Sequence, residues 1–95
     1  MTIKLLVQDF SAYGEPGAVR EVGSFSTQSE ALAAAQSRVD ACLEELFTTG
    51  ISAENLLRQW SLFGEDVFLS PDEGEPPFSA MAYARVRSRK IIDRL

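Results

Sequence analysis

The side chains able to do chemistry are limited in kind. The 95-residue chain has one cysteine, Cys42, and no histidine. That excludes Cys/His zinc sites, a Ser-His-Asp triad and a Cys-His nucleophile, and no intramolecular disulfide can form. A general acid or base has to be Asp, Glu, Lys, Tyr or Cys42 itself. Glu65 and Asp66, with Tyr83 later in the chain, are the groups a small carboxylate-based enzyme would use, if a concave pocket perturbed one of the acids. Glu65, Asp66, Asp72, Glu73 and Glu75 also offer oxygens of the kind that hold Mg²⁺ or Ca²⁺. Their spacing does not match the EF-hand loop, and the ordinary reading is solvated acids around a helix end. No catalytic residue, metal ligand or cofactor is therefore assigned. Cys42 falls in the apolar stripe of a helix, where a thiol behaves as a small hydrophobe with a raised pKa. The "YGEPG" stretch lacks both phosphate-cradle spacings.

Charge is unevenly spread. The net value is −5, but residues 1–84 set four cations against thirteen acids, a balance of −9. Residues 85–95 carry Arg85, Arg87, Arg89, Lys90 and Arg94 against Asp93, a balance of +4. An acidic body with a basic tail implies complementarity, within one molecule or between two. Arg85, Arg87, Arg89 and Lys90 are also the residues that would contact nucleic-acid phosphates. Against that reading, the body repels a polyanion and Arg87 leaves the Arg85/Arg89 stripe.

Elements to position these groups follow from periodicity. Residues 3–10 alternate, with Ile3, Leu5 and Val7 on one face, which predicts a strand. "SAYGEPG" predicts a hairpin connection longer than the tight kind, and residues 18–25 a returning strand with Gly23 at a bulge or close contact. Thr27 and Glu30 fit a capping box for a helix over 28–48. Ser52 predicts an N-cap for a second helix, whose apolar face is Leu56, Leu57, Trp60 and Phe63. Gly64, in a left-handed conformation, would end it with Phe63 in the core. Val67–Leu69 is the remaining strand. Pro71 to Pro77 is loop, and Ser79 caps a last helix with Met81, Ala84, Ser88, Ile91 and Leu95 inward. The order β-β-α-α-β-α predicts a single α+β domain over residues 1–95, a two-layer fold with a small antiparallel sheet of about three strands.

The segments "FGEDVF", "PPFSA" and "YAR" in the second half of the chain resemble a group of small bacterial proteins of unknown function. The resemblance implies a bacterial cytosolic protein and carries no activity with it. Residues 1–10 are too short an apolar run for a signal peptide, and nothing approaches the roughly 20 apolar residues of a membrane span, so no membrane partner is expected and the location is cytoplasmic.

The sequence thus points to a small non-catalytic interaction module, acting through a protein partner or as a homodimer. It has many large apolar residues for so small a domain, Phe10, Phe25, Phe63, Phe68, Phe78 and Trp60 among them, and those left over from the core would mark the contact surface. Trp60, Phe63, Phe68, Phe78 and Tyr83 are the residues expected there.

Overall fold

The computed structural model describes residues 2–10, 19–72, 74 and 76–93. Its elements are β1 (Ile3–Asp9), β2 (Val19–Phe25), α1 (Gln28–Leu46), α2 (Ala53–Phe63), β3 (Glu65–Ser70) and α3 (Ala80–Asp93), the order expected from the sequence. The predicted hairpin connection, Tyr13, Glu73, Glu75, Arg94 and Leu95 lie outside the described residues.

The three strands form one antiparallel sheet in the order β2-β1-β3, with helices packed on it, an α+β architecture. Leu5 stands opposite Leu69 and Val7 opposite Val67, and all four are buried. Leu6 stands opposite Phe68 and Gln8 opposite Asp66 on the other face. Period-two alternation places the apolar side chains of β1 and β3 under the helices. β2 departs from this pattern. Its register against β1 slips between Leu5 and Leu6, so that Val22 is the extra residue of a bulge beside Gly23. Most of β2 is exposed on both faces.

The helix signals operate with small changes. Thr27 Oγ1 accepts from the Glu30 N–H at 3.2 Å. The Thr27 hydroxyl donates to Glu30 Oε1 at 2.9 Å, so the reciprocal bond of the capping box runs to the hydroxyl. α1 ends at Leu46, two residues before the expected boundary, and Gly50 beyond it has φ 87°. Ser52 Oγ accepts from the Asn55 N–H at 3.1 Å, and Ser79 Oγ from the Ala82 N–H at 3.2 Å. Two expectations fail. Gly64 has φ −89°, so it is not left-handed. Glycine fits there because an added Cβ would lie 2.6 Å from Trp60 O and 3.1 Å from Cys42 Sγ. In α3 the inward residues are Ala80, Ala84, Ser88 and Ile91. Ala80 takes the first-turn position assigned to Met81, whose side chain is 38% exposed.

Trp60 lies at the centre of the core, fully buried with Leu43, Leu56, Val7, Val39 and Val67. Phe10 meets its ring edge-on at 5.0 Å and 81°, and the Phe10 N–H donates to Gly64 O at 3.2 Å. Burying side chains of this size contributes about 1.5–3 kcal/mol each before conformational entropy is counted. Trp60 Nε1 and Ser88 Oγ are buried without a hydrogen-bond partner among the described residues.

Candidate functional site: the groove between β2 and α1

α1 has two flanks. On one, Asp40 Oδ1 accepts from the Tyr83 hydroxyl at 2.9 Å and lies 3.0 Å from Arg87 Nε, which ties α1 to α3. The Arg87 contact is an ion pair, since its Nε–H has no aligned acceptor among the described residues. Burial first, then the Asp40 bond and charge, push the Tyr83 pKa up to about 12, although Arg87 pulls the other way. On the opposite flank, Ala34, Ser37, Arg38, Ala41, Cys42 and Glu45 face a groove of about 660 Å³. Its far wall is the uncovered inner side of β2, with Val22 and Phe25, and Phe63 and Glu65 close one end.

An ion-pair cluster braces that end. Arg38 Nε donates to Glu65 Oε1 at 2.5 Å, and Arg20 Nη2 lies 3.8 Å from Glu65 Oε2. The register explains why Arg20 is available. It stands opposite Val7, on the side the helices cover over β1 and β3. Glu45 also lines the groove and has no cation partner among the described residues. The Cys42 thiol is pushed above its ordinary pKa by burial, then by the Glu65 and Glu45 carboxylates. A backbone hydrogen bond at Glu65 and the Arg38 charge offset this only in part. The thiol is therefore protonated at neutral pH and unsuited to nucleophilic attack.

The residues singled out by sequence do not form one surface. Trp60 is enclosed by the core and is not a surface residue, because its stripe on α2 faces inward, where α2 packs on α1 and α3. Phe63, placed by the sequence both on the core face of α2 and among the contact-surface rings, is 66% exposed and lines the groove, so the core placement fails. It belongs to the same stripe but sits on the last turn of α2, where it lines the groove instead of the core. Phe68 is half-buried on the open sheet face opposite Leu6. Phe78 and Tyr83 are half-buried and pack on each other at 6.1 Å. On α3, Arg87 is taken by Asp40, whereas Arg85, Arg89 and Lys90 are exposed.

Nor do the acids converge. Glu65 and Asp66 are neighbours in a strand and point to opposite faces, so they are not a carboxylate pair. Asp66 Oδ1 accepts from the Val67 N–H at 3.0 Å, and burial raises its pKa against that bond. Asp72 serves as a loop hub. It accepts from Gln28 Nε2 at 3.0 Å, Gly74 N at 3.0 Å and Phe78 N at 2.8 Å. Burial opposes its charge, but the three donors outweigh burial and lower its pKa. No group of three or more metal-ligating side chains occurs among the described residues, and among them no helix is long and apolar enough to cross a membrane.

The groove and the Asp72 hub are features that sequence reasoning missed. The weak alternation of β2 is the one signal that its inner side would lack a cover. No family model matches this chain, and no curated protein or solved structure does either.

Proposed function

We propose that the chain is a non-catalytic interaction module whose contact surface is the β2–α1 groove. The observation that carries this reading is Phe63. A phenylalanine at 66% exposure, lining the same groove as exposed Val22, is an apolar surface that water penalises and a partner would cover. Aromatic residues and arginine are the types most often found at the energetic centre of such contacts, and Arg38 lines the same groove. The Arg38–Glu65–Arg20 cluster holds the groove's end in place without a partner, which lowers the ordering cost of binding.

A photocrosslinking residue at position 63 tests this in the cells that make the protein. The expected result is one discrete adduct, weakened by Val22→Asp and absent when the same residue stands at exposed Thr49. No discrete adduct at 63, or the same adducts at 49, overturns the reading.

A further inference from the structure

Resting on that reading, we infer that the groove's occupant is the outer face of α3 from a second copy of this chain. Charge complementarity identifies it. The groove is lined by Asp9, Glu45 and Glu65 against Arg38, with Arg20 also paired to Glu65, a balance of −1, and Glu45 has no cation partner among the described residues. The outer face of α3 presents Arg85, Arg89 and Lys90 against Asp93, a balance of +2, and none of the three cations has a carboxylate partner among the described residues. Each is an unbalanced patch, and the two are opposite in sign.

The apolar parts match as well. Met81 and Val86, the latter 57% exposed, share the outer face of α3 with Arg85 and Arg89. They would meet Val22, Phe25 and Phe63. On α1 the groove side is built of Ala34, Ser37 and Ala41, which permits close approach of a helix. Dimensions agree too. The 14 residues of α3 span about 21 Å at 1.5 Å per residue. The seven residues of β2 span about 23 Å at 3.3 Å per residue, so a helix of that length lies along the whole strand.

The two patches are distinct, because α3 packs on one flank of α1 and the groove occupies the other. The contact is therefore head-to-tail. Each copy keeps a free groove and a free helix face, and association continues past the dimer unless a ring closes.

Reciprocal charge reversal with sedimentation velocity tests this on the full chain. Wild type is expected to form a concentration-dependent series of species at low salt, weakened by added salt. Glu45→Lys alone, and Arg85→Glu with Arg89→Glu alone, are each expected to weaken association by about tenfold or more. Mixing the two variants restores it, since every second contact then joins the unaltered groove of one to the unaltered α3 of the other, and the contacts between set the cation introduced at position 45 against the carboxylates introduced at positions 85 and 89. Circular dichroism confirms that each variant is folded. A wild type that stays monomeric at high concentration and low salt overturns the proposal, as does a mixture no stronger than the separate variants. The module reading is decided separately. A position-63 adduct with a different protein upholds that reading and removes the second copy as occupant.

Discussion

Replacing Gly64 with alanine tests the packing that joins the groove to the core. The added Cβ would sit 2.6 Å from Trp60 O, 2.9 Å from Trp60 Cδ1 and 3.1 Å from Cys42 Sγ. Carbon–oxygen contacts normally begin at about 3.3 Å, so about 0.7 Å of movement is required. Trp60 O cannot give way cheaply, because it accepts the Gly64 N–H at 2.8 Å and belongs to a fully buried residue. Overpacking of this kind costs about 1–3 kcal/mol. Alanine also restricts the unfolded chain, a gain of about 0.4–1 kcal/mol where the native φ suits it, as −89° does. The steric cost wins, with a net loss of about 1–2 kcal/mol from a total of about 5–15. With a urea slope of about 1 kcal/mol/M, the unfolding midpoint falls by about 1–2 M. The assay is urea titration followed by the fluorescence of Trp60, the one tryptophan of the chain. A midpoint equal to or above wild type refutes the argument. Combining Gly64→Ala with Cys42→Ala, measured against Cys42→Ala alone, removes only the Sγ contact. The penalty should largely persist, and its disappearance would shift the cause from the carbonyl to the thiol.

Two further outcomes follow from polar groups in the fold. Ser88→Ala deletes a buried hydroxyl with no partner among the described residues. It is expected to raise stability by about 1 kcal/mol, seen as a thermal midpoint about 4–8 °C higher, and an equal drop would show that the hydroxyl is paired. Asp72 has a folded pKa held below its ordinary value by three donated hydrogen bonds, against the cost of burial. Its contribution to stability is thus present above the unfolded value of about 3.9 and is lost as pH falls through the folded value. Asp72→Asn should lower the midpoint at neutral pH and flatten the acid limb of a midpoint-against-pH curve, and an unchanged acid limb would remove Asp72 as its source.

How much of this could be read in advance differs from one element to the next. α1 is legible because Thr27, Glu30 and the helical spacing of Leu32, Ala35, Val39 and Leu43 are local signals that agree, although the first fully buried position is Ala31 and not Leu32. β1 is legible for the same reason, its alternation matching a half-covered sheet. Phe63 shows the limit. Periodicity fixes the direction in which a side chain leaves a helix, but not whether the neighbouring elements reach far enough to cover that turn. Phe63 has the right direction and overshoots. Gly64 shows another limit. Its position after a helix suggested a backbone requirement, whereas the cause is the distance to Trp60, set by tertiary packing. Asp72 looked like one more solvated acid because its donors, Gln28, Gly74 and Phe78, are distributed across the chain.

The exposure of β2 has a consequence beyond the groove. Among the described residues β2 is an edge strand, hydrogen-bonded to β1 on one side, and a bare edge is a template for pairing with any other strand. Arg20 and Glu21 put opposite charges side by side along it, and the bulge at Val22 breaks the straight run of donors and acceptors that a second strand would need. The irregularity that spoils its alternation also blunts its capacity for strand addition. A helix can lie against the inner face of such a strand without using its edge. The bulge therefore separates two ways in which copies of this chain could come together, hindering strand-to-strand accretion while leaving the groove open.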